Sequence, residues 1–129
     1  MQIFEKDLIV TKADLDQLNH VNNVRYVQWV QDIAEAHWTK NTPNKILERY
    51  FWVLVSHLIE YKYPAVLGDA LKLKTYVLKS EGVTSIRIVE IYNATLNKLL
   101  VKSETKWCFM DKEKQRPTRI ISEVAKLFD

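Results

Sequence analysis

Glycine is scarce in this chain: 2 among 129 residues, Gly68 and Gly82, where average usage of about 7% would give about nine. The shortage excludes chemistry built on glycine-rich loops, because neither a phosphate-binding P-loop nor a GxGxxG dinucleotide fingerprint can be written with these two residues. The single cysteine, Cys108, excludes an internal disulfide framework and any multi-cysteine zinc site. There are only 3 prolines and 3 histidines, and no internal repeat. No run of 18 apolar residues occurs, so no transmembrane span is expected. Nor does the opening Met1-Gln-Ile-Phe-Glu-Lys-Asp7 contain the apolar core of a signal peptide. With the free cysteine, this makes the cytoplasm the expected location. Any chemistry must then come from a few side chains and from the ends of ordinary elements.

What is present suits one domain, residues 1–129, 47% hydrophobic and 27% charged. The net charge of +3 is uneven. Residues 1–59 carry 6 Lys/Arg against 7 Asp/Glu, and residues 60–129 carry 13 against 9. Such a bias can meet a phosphorylated ligand but falls short of the basic footprint that duplex nucleic acid needs. Neither nucleic acid nor a membrane is expected as a partner.

Hydrophobic periodicity sets the elements. Residues 2–11 read as a first strand, and the polar stretch 12–23 as a loop. From Val24 to about Lys40 the pattern is helical, with Tyr26, Val30, Ile33 and His37 on one face and Val27, Ala34 and Trp38 beside them. Asn22 or Asn23 serves as N-cap, Lys40 suits the last turn, and Pro43 lies beyond the stop. The rest is mostly strand. Residues 51–63 stop at Pro64 and are followed by a turn at Gly68-Asp69. Residues 70–79 alternate, with Leu71, Leu73, Thr75 and Val77 inward. Residues 83–92 and 98–110 follow, and in the latter Val101, Ser103, Thr105, Trp107 and Phe109 face one way. A short amphipathic helix is expected over Thr118–Phe128. One helix followed by four strands in hairpin succession predicts an α+β domain, an antiparallel five-stranded sheet packed on one long helix. One helix cannot cover both edges of such a sheet, which favours oligomerisation.

The chemically dense stretch is Asp14-Leu-Asp16-Gln-Leu-Asn19-His20-Val-Asn22-Asn23-Val-Arg25-Tyr26. It sets carboxylates, asparagines and a histidine at the start of the helix. There the free N–H groups and the positive end of the dipole can polarise a carbonyl and hold an oxyanion. A nearby carboxylate can attack that carbonyl or activate water against it. This fits hydrolysis of an ester-like bond, and it equally fits a capped helix with a polar lead-in.

The pattern Asp16-x-x-x-His20-Val21-Asn22-Asn23-x-x-Tyr26 resembles the signature of hotdog-fold acyl thioesterases. Within these it is similar to the branches of hydroxybenzoyl-CoA thioesterase and of the acyl-carrier-protein (ACP) thioesterases. The similarity extends over Ile59–Asp69, Lys106–Asp111 and Arg116-Pro117. It implies a single hotdog domain whose sheet wraps the long helix, with the active site at a dimer interface.

The resemblance also implies roles. Asp16 is the expected nucleophile or general base, and the backbone N–H near Asn23 the expected oxyanion donor. His20 supports catalysis, while Asn22 and Tyr26 shape the substrate site. No metal and no cofactor are expected, coenzyme A entering only as part of the substrate. The implied function is acyl-CoA thioesterase in fatty acid metabolism, as a homodimer or homotetramer. An acyl-ACP substrate, or a non-catalytic module binding acyl ligands, is the alternative. Two departures, Leu18 where plant enzymes have asparagine and Pro64 where they have glutamate, argue for an Asp16-centred mechanism of the bacterial kind.

The other polar residues have plainer readings. Asp14 is expected to be a solvated loop residue, His37 and His57 packing histidines, and Cys108 buried and inert. Ser56, Ser103 and Thr105 lack the glycines of a nucleophile elbow.

Overall fold

The computed structural model describes residues 1–129. The chain runs β1 (Phe4–Ile9), a 3-10 turn (Lys12–Asp14), α1 (Asn23–Asn41), α2 (Asn44–Leu47), β2 (Tyr50–Tyr61), β3 (Ala70–Glu81), β4 (Thr84–Asn93), β5 (Lys98–Asp111), β6 (Arg116–Pro117) and α3 (Ser122–Lys126). The α+β class, the long helix and the five main strands agree with the sequence pattern. The short α2 and the two-residue β6 were not expected, and the C-terminal helix is a fragment of the stretch foreseen over 118–128.

The sheet order corrects one expectation. The strands lie β1-β3-β4-β5-β2, with β6 added on β5. Only β3, β4 and β5 follow one another as hairpins; β2 pairs antiparallel with β5 and β1 with β3. The β3–β4 connection is a two-residue turn whose first residue, Gly82, takes φ +63, as a twisted hairpin demands. The β2–β3 connection, residues 62–69, has no such turn and instead carries the chain from one edge of the sheet to the strand near the other. Both β1 and β2 are edge strands.

Helix α1 lies against the inner face of the sheet. Tyr26, Val30, Ile33, Ala34 and His37 are its buried residues, spaced at the turns of one helical face. Tyr26, Val30 and Ile33 share one core with the alternate inward residues Leu71 and Leu73 of β3, Val89 and Ile91 of β4 and Val101 of β5. Each Leu, Ile or Val so buried contributes about 1.5–3 kcal/mol. Val27 lies off this face and is exposed, as is Val24. A second, smaller core joins Ile46, Tyr50, Phe109 and Val124 beyond the far end of the helix.

Candidate active site

The residues before α1 form a tight loop held almost wholly by backbone groups. Leu15 and Val21 are bridged as in a hairpin, and Asp16 N–H donates to His20 O at 2.7 Å. Asn19 N–H donates to Asp16 O at 3.2 Å, and Asn19 sits at φ +60, a conformation asparagine tolerates better than most residues. Asn19 thus makes the turn possible.

Inside the loop Asp16 is half-buried. Its Oδ1 accepts from the N–H of Leu18 at 2.8 Å and of His20 at 3.1 Å. Oδ2 has no hydrogen-bond partner. The carboxylate is therefore fixed through one oxygen and free at the other. It lines an open surface pocket together with Leu15, Gln17, Leu18 and Asn22.

Asn22 is the N-cap. Its side chain accepts from Val24 N–H at 3.0 Å and its carbonyl from Arg25 N–H at 2.9 Å. Asn23, the first helical residue, is left with an N–H that no group of the chain accepts. No acidic residue lies in the first turn to neutralise the positive end of the dipole. In the chain, the fixed carboxylate of Asp16 precedes the cap Asn22 and the free donor of Asn23 follows it. The side chain of His20 is exposed and unbonded, while its backbone pairs with Asp16 and bridges to Val66.

Two residues have tasks other than those expected. Asp14 is not a solvated loop residue: it accepts from Thr11 N–H at 2.8 Å and from the Thr11 hydroxyl at 3.1 Å, and it pairs with Arg25 at 3.1 Å. Tyr26, expected at the substrate site, is 2% exposed, and its hydroxyl accepts from Ala65 N–H at 3.0 Å. Burial raises its pKa. It anchors the helix start to the β2–β3 connection and offers no surface to a substrate in this chain.

Ala65 is the part of the site that sequence reasoning missed. Its N–H is held by Tyr26 and its carbonyl accepts from Val21 N–H at 2.9 Å. The surrounding turn is closed by Asp69, whose side chain accepts from Val66 N–H at 3.0 Å, and by Gly68 at φ +84. Pro64 and Gly68-Asp69 were visible as turn residues, but nothing local says that their turn supports the helix start.

His37 and His57 are packing residues, as read. His37 is fully buried and stacks on Phe4 at 5.0 Å between centroids. His57 is half-buried, with Nε2 2.8 Å from the Ser103 hydroxyl. Cys108 is half-buried in β5. No group of acidic, cysteine and histidine side chains is arranged to hold a metal ion. No helix is long and apolar enough to cross a membrane.

A single antiparallel sheet wrapped on one helix, with a polar loop at the helix start, defines a hotdog-type α+β domain. Residues 10–128 match the thioesterase-like superfamily, and the chain belongs to that family. The activity of the class is thioester hydrolysis. Solved structures show the same fold. One is an Asp-to-Asn mutant of 4-hydroxybenzoyl-CoA thioesterase complexed with 4-hydroxybenzoyl-CoA, at 14% identity, covering 100% of both chains, TM-score 0.89. Another is a 1,4-dihydroxy-2-naphthoyl-CoA thioesterase from Synechocystis, at 18% identity, covering 97% of this chain and 94% of that one, TM-score 0.83. A third is the 12:0-ACP thioesterase of Umbellularia californica, at 13% identity, covering 98% of this chain but 51% of that one, TM-score 0.85. Among curated proteins no sequence matches.

Proposed function

We propose that the chain is an acyl-CoA thioesterase in which Asp16 is the nucleophile or general base and the Asn23 N–H holds the developing oxyanion. The observation that carries this reading is the half-fixed carboxylate of Asp16, one oxygen bound by two backbone N–H groups and the other open to the same surface pocket as Asn22. A group held in this way keeps its aim without losing its reactive atom. With the thioester carbonyl oxygen at the Asn23 N–H, Asp16 Oδ2 adds to the carbonyl carbon or takes a proton from a water that does so. The tetrahedral oxyanion gathers at the positive end of α1. Its collapse breaks the C–S bond and the thiolate leaves, taking a proton from solvent. In the nucleophilic route, water then hydrolyses the mixed anhydride and frees Asp16.

The reading extends to assembly as a homodimer or homotetramer acting in the cytoplasm. The support is the edge strand β2, paired only with β5, which leaves Val53, Leu54, Val55 and Leu58 exposed at 43%, 40%, 55% and 61%. Light scattering tests it: a monomer at micromolar concentration would rule it out.

The decisive assay is hydrolysis of an acyl-CoA panel by wild type and by Asp16→Asn. The amide keeps an oxygen for the Leu18 and His20 N–H groups and removes the charge. Loss of turnover in a folded variant supports the mechanism, and full turnover overturns it. Running the same panel with acyl-ACP substrates separates the two carriers.

A further inference from the structure

The far half of α1 covers a second feature. A cavity of about 230 Å³ lies between the helix and the sheet, walled by Trp38, Phe51, Trp52, Trp107 and Phe128. For scale, about 150 Å³ between apolar side chains is enough to take up benzene. Into this aromatic chamber projects Arg87 of β4, only 6% exposed.

The partners of Arg87 are incomplete. Nη1 donates to His37 Nδ1 at 2.9 Å and to the Thr75 hydroxyl at 3.0 Å. His37 Nε2 faces the Gln2 amide oxygen at 2.6 Å. That oxygen can only accept, so His37 carries its proton on Nε2 and presents a lone pair to Arg87. Neutral His37 and neutral Thr75 supply hydrogen bonds without charge. None of the six ion pairs in the molecule includes Arg87. Burial lowers its pKa to about 10, with no carboxylate near enough to raise it, and it remains a cation at neutral pH. The nearest acid on the cavity wall, Glu35, is exposed at the mouth. Nε and Nη2 donate to nothing in the chain, yet they are not sealed off: the only fully enclosed side-chain polar atom without a partner is the Thr42 hydroxyl. The space beside them is the cavity that Arg87 lines.

The Phe128 ring, 5.6 Å from Arg87 Cζ, offsets part of the buried charge but fills none of the unused N–H donors; a carboxylate would, matching Nε and Nη2 with two parallel hydrogen bonds. The helix residues on the cavity wall, Gln31 to Trp38, lie 8 to 15 positions beyond Asn23. That is about 12–22 Å along the axis, the reach of an extended acyl chain from the helix start.

We propose that this cavity is the acyl-end pocket and that Arg87 makes it select acyl groups whose far end bears a carboxylate. This rests on the thioesterase reading for its biological meaning, but the pocket can be tested without turnover. Octanoate and octanamide have the same chain and differ in charge. By titration calorimetry, wild type should bind octanoate at least about tenfold more tightly than octanamide. Arg87→Met should abolish the preference. If Arg87→Met does not fold, Gln31→Trp closes the exposed mouth without touching Arg87 and should abolish octanoate binding. In hydrolysis, hexadecanedioyl-CoA, long enough to span from the helix start to this cavity, should exceed palmitoyl-CoA in kcat/KM by a similar factor. Equal binding of the two free ligands, or a preference that survives Arg87→Met, overturns the pocket. Arg87-dependent octanoate binding without hydrolysis of any acyl-CoA keeps the pocket and overturns the thioesterase reading. Hydrolysis with no charge preference does the reverse.

Discussion

The two ends of α1 are built by opposite means. At the N-terminal end a polar loop stands at the surface, shaped by short-range hydrogen bonds: Asp16 to the N–H groups two and four residues on, Asn22 to the N–H two residues on. At the C-terminal end His37, Arg87, Thr75 and Gln2 converge from α1, β4, β3 and the N-terminal segment, and their bonds span up to 50 positions. The first end presents charge to water, where it is cheap, in reach of a substrate. The second buries a cation among aromatic rings, where it is costly, and is held only because three elements meet there. In the proposed reading, reactivity and selectivity fall to different ends of one rod, the first shaped by local turns on the long-range clasp at Ala65 and the second by tertiary packing throughout.

Four measurements test this contrast. The largest effect should come from Asp16→Asn, with kcat/KM reduced about 10²–10⁴-fold, the usual worth of a positioned acid–base group. Its melting temperature should stay near that of wild type. A large drop in stability with little loss of rate would make the N-terminal end structural after all.

Next comes the pH dependence of stability, governed by the other end. Burial, followed by the charges of Arg87 and Lys40, lowers the pKa of His37 from 6.5 to about 4. Between these values the unfolded state binds the proton and the folded state does not. The stabilisation is therefore complete above about pH 6.5 and falls as the pH is lowered toward 4, by up to about 3 kcal/mol. Denaturant unfolding across pH 4–7 should show this slope, and His37→Gln should flatten it.

Tyr26→Phe removes the acceptor for the buried Ala65 N–H and should cost about 1–3 kcal/mol in denaturant unfolding. Because Ala65 also holds Val21, turnover should fall along with stability, a coupling that Asp16→Asn should not show. The smallest effect is expected from Asn22→Ala, about 1 kcal/mol for a lost N-cap. The measurement is the melting temperature compared with that of Asn22→Ser, which keeps a cap.

The same contrast explains what could be read from sequence. The helix, its face from Tyr26 to His37 and the alternation in β3 and β5 follow from periodicity, and they stand in the structure. The cap at Asn22 and the clustering of Asp16, His20 and Asn23 at the helix start follow from turn chemistry within a few residues. What sequence reasoning missed depends on distant partners. β2 was placed beside β3 because they are consecutive, whereas its apolar face and length suit β5, 40 to 61 positions further on. Asp14 looked solvated because Arg25 lies a loop and a helical turn away. Arg87 is one of the 13 Lys/Arg of the second half, and nothing in Ser85-Ile-Arg87-Ile tells which face of the strand meets α1.

The clasp at Ala65 has a consequence for how this scaffold can change. Val21 is gripped through its peptide N–H, and Asp16 is tied to His20 by main-chain atoms, so the geometry of the loop is indifferent to the side chains of Gln17, Leu18 and His20, all of them exposed. Gln17 and Leu18 can be exchanged to suit a new acyl group or carrier while the carboxylate stays where it is. Ala65 itself, 0% exposed, has no such freedom. One small buried residue thus leaves the exposed side chains of the loop free to change.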